Sequence, residues 1–189
     1  MKSLRSLFRI GLGPSSSHTM GPNRAAKIFA ERCPDVDTYR VTLYGSLAAT
    51  GEGHMTDVAI MTVLEPIAKT ELVWEPETFL PFHPNGMLFE GIKENEVIDK
   101  WTIYSIGGGE LANEHTTKNE EDIYPLRTFG QIAEYCNTHN IRLWEYVEKY
   151  EGEEIWDYLH EIWKAMKNSI FQVFELVVCA LHLHIHEVL

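Results

Sequence analysis

Nine consecutive residues, Gly11-Leu-Gly-Pro-Ser-Ser-Ser-His-Thr19, hold two glycines, a proline, three serines, a histidine and a threonine. A hydrophobic core cannot absorb such a stretch, because each buried hydroxyl would need its own partner. It has to run over the surface, and it feeds into residues 20–33, which read as a helix. Pro22 suits the first turn, Ala25, Ala26, Ile28, Phe29 and Cys33 make an apolar stripe, and Pro34 ends it. The loop therefore lies at a helix N-terminus, where free amides and the helix dipole favour an anion. A serine cap would explain one hydroxyl, but not five polar residues in a row.

A second stretch repeats the recipe. Gly45-Ser-Leu-Ala-Ala-Thr-Gly-Glu-Gly-His-Met-Thr-Asp57 carries glycines at 45, 51 and 53 and hydroxyls at 46, 50 and 56, then His54 and Asp57. Before it, Tyr39, Val41 and Leu43 alternate with Thr38, Arg40 and Thr42, the pattern of a half-buried strand. After it, Thr56 or Asp57 would cap a helix running to about Leu64. Strand, glycine-rich polar turn and helix is a common way to hold a ligand against backbone amides, but the glycine spacing is not that of the dinucleotide fingerprint.

Beyond Pro66, residues 71–74, 87–92 and 98–106 read as strands punctuated by prolines and glycines, and 110–127 as polar loop. Helices follow, with stripes at Phe129, Ile132, Ala133 and Cys136, at Leu143 and Val147, and at Ile155, Leu159, Ile162 and Met166. The fold class is α+β: a mixed or antiparallel sheet with packed helices over residues 1–150, then a truncated helical extension from 151 to 170. Leu4, Leu7 and Phe8 suggest a short amphipathic helix docked on the core. At 44% hydrophobic residues there is material for that core, while a net charge of −12 argues against nucleic acid and for a soluble cytoplasmic protein.

Residues 171–189 are apolar but interrupted by Gln172, Glu175, Glu187 and three histidines, too polar for an ordinary membrane span. On a strand, His182, His184 and His186 would share one face near Cys179, yet nothing nearby supplies the supporting partners a metal site needs. Cys33, Cys136 and Cys179 have no metal-ligand spacing and read as reduced thiols. No metal-binding residue is assigned.

The two loops also carry a resemblance. Gly13-Pro-Ser-Ser-Ser-His-Thr-Met-Gly-Pro22 followed by Arg24-Ala-Ala, and Tyr44-Gly-Ser-Leu-Ala-Ala-Thr-Gly-Glu-Gly-His-Met-Thr-Asp57, resemble two signatures of the iron–sulfur-dependent L-serine dehydratases. His83-Pro-Asn-Gly-Met-Leu-Phe-Glu90 and Tyr104-Ser-Ile-Gly-Gly-Gly109 are similar to two more, in the same order. The resemblance spans about residues 3 to 168, in that family the β domain and the start of an all-helical α domain. The tail departs from it, which reads as truncation or a frameshift.

The resemblance implies conversion of L-serine to pyruvate and ammonia with a [4Fe–4S] cluster, whose cysteine ligands belong to an α domain or subunit absent from this chain. It assigns His54 and His18 as catalytic, with His54 the base. Ser15, Ser16, Ser17, His18, Thr19, Ser46, Thr50, Asp57, His83 and Asn85 become substrate-binding. Its implied partners are L-serine and the α domain, with a homodimer left open and neither nucleic acid nor membrane involved. The family's β domain also resembles a substrate-sensing domain of some phosphoglycerate dehydrogenases. The chain could thus be a serine- or hydroxy-acid-binding regulatory module, or a non-functional remnant.

Overall fold

A computed structural model describes residues 1–115 and 122–186, with side chains described as far as residue 174. Two compact units emerge, Gly11–Lys118 and Met1–Ile10 together with Asn119–Leu189. The helices of the second unit build a core of their own.

The first unit is a five-stranded mixed sheet of order β2-β1-β3-β4-β5. Its strands are β1 (Thr38–Tyr44), β2 (Lys69–Glu75), β3 (Gly86–Lys93), β4 (Glu96–Gly107) and β5 (Glu110–Ala112). β1 runs parallel to β2, with Thr38 opposite Lys69, and antiparallel to β3, with Leu43 opposite Met87. The parallel pair follows from the crossover through α3 (Gly45–Thr50) and α4 (Thr56–Leu64), which returns the chain to the starting edge. Two expectations fail locally. The segment after β1 is helical rather than a glycine-rich turn, and β5 lies inside the supposed polar loop of 110–127, of which 116–121 fall outside the described residues.

Helix α2 (Gly21–Arg32) lays Ala25, Ala26 and Phe29 on the sheet. Phe29 is fully buried, 5.4 Å from the Phe89 ring and 6.0 Å from that of Tyr39. Alanines let the helix approach closely, and the aromatic rings supply the buried area. Ile60 and Leu64 of α4 and Leu47 of α3 complete the core.

In the second unit, α5 (Phe129–His139), α6 (Leu143–Glu151) and α7 (Ile155–His186) follow one another. Thr128 and Gln131 cap α5 reciprocally, and Asn140 ends it in the left-handed conformation. Tyr124, Ile132, Cys136 and Tyr146 form the core of this unit. The one-turn helix α1 (Leu4–Leu7) buries no residue, and Leu7 is 70% exposed, so an apolar stripe does not hold it. Hydrogen bonds do: Ser3 Oγ and the Leu4 amide both donate to Glu151, at 2.7 and 2.6 Å. The backbone of α7 is helical to His186, so the shared strand face imagined for His182, His184 and His186 does not exist. Those side chains, and that of Cys179, lie outside the described ones. Among the described residues no helix is long and apolar enough to cross a membrane.

Candidate functional site

The serine-rich loop ends in a π-helical turn, Ser16–Met20, that runs straight into α2. Ser15 caps it: its Oγ accepts from the His18 amide at 3.1 Å, and its carbonyl accepts from Thr19 and Met20. The wider turn inserts a residue at the helix start, a local device that recurs at functional sites. On the other side, Gly45 turns the chain out of β1 at φ +51, where a Cβ would stand 2.7 Å from the Pro84 carbonyl oxygen. Only glycine serves there. Ser46 follows, its amide donating to that carbonyl at 3.1 Å. A 3-10 turn, Glu52–His54, then presents His54 ahead of α4.

These turns bring the two histidines together. The His18 and His54 rings have centroids 4.8 Å apart at an interplanar angle of 35°. His18 Nε2 lies 3.2 Å from Ser46 Oγ and its Nδ1 2.9 Å from Ser17 Oγ. His54 Nδ1 lies 2.9 Å from the Thr50 carbonyl oxygen. A carbonyl only accepts, so Nδ1 of His54 carries the proton in the neutral ring and Nε2 keeps the lone pair. His54 is thereby arranged as a proton acceptor.

Burial, with the neighbouring His54 charge second, lowers the His18 pKa below its ordinary 6.5, while the contact with Ser46 opposes the shift. The folded chain therefore takes up this proton later than the unfolded one. The stability tied to neutral His18 is full above pH 6.5, falls as the pH drops below it, and levels off once the folded form protonates too. In a His54→Gln variant the His18 midpoint, followed by imidazole NMR, is expected to rise yet stay below 6.5, since burial, the larger cause, remains. An unchanged midpoint would mean that the rings do not sense each other.

The other expected site residues divide. Ser17, Ser46 and His18 form one hydrogen-bonded group, and Ser16 is exposed beside it. Asp57 lies in the first turn of α4 with Oδ1 buried and no protein partner. Thr19 is fully buried and donates to the His54 carbonyl, so its hydroxyl turns inward and does not face a ligand. Thr50 Oγ1 donates to the Ser46 carbonyl. Asn85 is buried; its side-chain Nδ2 donates to the Ser105 carbonyl and its main-chain N–H to His83 Nδ1. These two bonds brace the 83–85 loop. Thr56 does not cap α4, because its Oγ1 donates to the His18 carbonyl at 2.5 Å.

Sequence reasoning missed Thr56 as a residue of this site, and also Ser105. Ser105 is fully buried with no partner for Oγ, and a Cβ on Gly21 would come within 2.1 Å of that oxygen. Close approach of β4 to the start of α2 thus requires glycine at 21. The glycine in Met-Gly-Pro22 was the available signal, though nothing in the sequence says which strand it faces.

The described residues do not fit a [4Fe–4S] cluster. Burial pushes the Cys33 thiol up, away from the thiolate a metal needs, and Cys136 packs in the aromatic core of the other unit. No three His, Cys, Asp or Glu side chains among the described residues are grouped to hold a metal.

A mixed sheet with helices carries an imidazole pair among serine hydroxyls at the start of a helical segment. Residues 3–67 and 64–116 match the family described as serine dehydratase beta chain. L-serine dehydratase 1 of Escherichia coli K12 is 30% identical over 90% of this chain and 48% of its own length. The L-serine dehydratase of Haemophilus influenzae is 30% identical over 90% of this chain and 49% of its own. That of Mycobacterium bovis is 35% identical over 62% and 34%. The chain belongs to the serine dehydratase beta chain family, and it spans about half the length of the curated relatives it matches.

Proposed function

We propose that this chain supplies the substrate loops and the proton acceptor of an L-serine dehydratase, which converts L-serine to pyruvate and ammonia in the cytoplasm. The observation that carries the reading is the His18–His54 pair, with the His54 tautomer set by the Thr50 carbonyl. The start of the π turn, with the hydroxyls of Ser16 and Ser17, suits an α-carboxylate, whereas the first amide of α2 is already bonded to the Ser16 carbonyl. The orphaned Oδ1 of Asp57 suits the α-ammonium. His54 Nε2 takes the α proton, and the electron pair left on the α carbon forms the double bond as the β-hydroxyl departs. The resulting aminoacrylate takes a proton on its β carbon to become an imine, which water hydrolyses to pyruvate and ammonia.

Departure of hydroxide is not assigned to any group of this chain. In the proposed enzyme the [4Fe–4S] cluster and its cysteine ligands come with the α domain, which supplies the Lewis acid. The test is a comparison under anaerobic conditions with reconstituted iron and sulfide. The chain alone is expected to yield no pyruvate from L-serine, and its mixture with the α half of a relative to yield it. Pyruvate from the chain alone would contradict this division of labour, and so would failure of a mixture that demonstrably assembles with its cluster loaded.

A further inference from the structure

The two histidine loops are tied to each other by a reciprocal pair of hydrogen bonds from buried threonines. Thr19 Oγ1, on the π turn, donates to the main-chain carbonyl of His54 at 2.7 Å. Thr56 Oγ1, in the first turn of α4, donates to the main-chain carbonyl of His18 at 2.5 Å. Each threonine is fully buried, so water offers its hydroxyl no substitute partner. Each lies within two residues of one histidine and grips the peptide that carries the other. The neighbouring side-chain bonds are of another kind: Ser15 Oγ caps its own turn, and Thr50 Oγ1 bonds back within its own helix. Those shape a loop, whereas the threonine pair fixes one loop against the other.

We propose that Thr19 and Thr56 are positioning residues which together set the separation and tilt of the His18 and His54 rings, acting through the two carbonyls and touching no ligand. A methyl group in place of either hydroxyl keeps the volume, takes the donor from the facing carbonyl and frees one loop to shift, and at Thr19 it also takes the acceptor from the Ser15 amide. Ring placement then relaxes even though the core beneath it stays packed. The consequence for turnover rests on the L-serine reading above, but the geometry does not.

The test uses the full chain, labelled for NMR, as wild type and as Thr56→Val, Thr56→Ser, Thr19→Val and Thr19→Ser. Cross-ring NOEs between His18 and His54 are expected in the wild type and in both serine variants. In both valine variants they are expected to be lost, with dispersed amide spectra retained. Folded valine variants that keep the NOEs would overturn the proposal. Should valine prevent folding, the wild type decides in half-deuterated water, where a slowly exchanging hydroxyl splits its Cβ resonance in two. Split resonances at both Thr19 and Thr56 support the brace, and averaged single lines refute it. None of these readouts requires catalysis, so a failure of the dehydratase reading would show separately, in the pyruvate assay.

Discussion

In an assembly of this chain with a cluster-bearing α half, His54→Gln is expected to lower kcat for L-serine by about 10²–10⁴-fold, the range lost with a general base. The expectation follows from the tautomer. Nδ1 of His54 is committed to the Thr50 carbonyl, so Nε2 is the one nitrogen of that ring able to accept a proton. Both nitrogens of His18 already meet serine hydroxyls, and its lowered pKa keeps it neutral near neutral pH. His18→Gln should therefore raise KM more than it lowers kcat, because it disturbs the group proposed to receive the substrate. Steady-state pyruvate formation separates the two parameters. A His54→Gln enzyme with near-normal kcat would remove His54 from the base role.

Phe29→Ala is expected to cost about 3–5 kcal/mol of stability, the usual loss for a fully buried phenylalanine. The ring meets Phe89, Tyr39 and, stacked at 6.5 Å, Trp101. Backbone atoms of α2 and the strands cannot close the void without unpacking the sheet. Because α2 continues the π turn, the same substitution should loosen the His18 loop even where the domain stays folded. Urea unfolding followed by tryptophan emission, with Trp101 reporting on this unit, measures the loss. A cost under about 1 kcal/mol would mean that the site relaxes around the missing ring.

Alternation over 38–44 and the alanine stripe of α2 were legible because each has one face in the core, and burial fixes the period. β5 was not, since Glu110–Ala112 is too short to show any alternation. The helix at Gly45–Thr50 was hidden by its own glycines, which signal a turn although the sequence between them, Ser-Leu-Ala-Ala-Thr, suits a helix. The α1 segment looked apolar enough to dock, but its attachment is polar and comes from Glu151, more than a hundred residues away. Such partners leave no local trace.

The site shows the same division. Composition and family resemblance located both loops and named both histidines. Neither could say that Thr19 faces inward, that Thr50 orients His54 through its carbonyl, or that Asn85 ties a loop to β4. A hydroxyl in a polar loop is equally suited to a ligand or to a neighbouring carbonyl, and only the backbone path decides.

The central claim is that His18, His54 and the hydroxyls around them receive L-serine. The most direct measurement is a titration of the full chain with L-serine, following the imidazole resonances of all its histidines. The expected result is saturable shifts at His18 and His54, weak in affinity because this chain supplies half of the proposed site, with His139 and His160 unmoved. Shifts absent at both His18 and His54, or matched by those at His139 and His160, would contradict it.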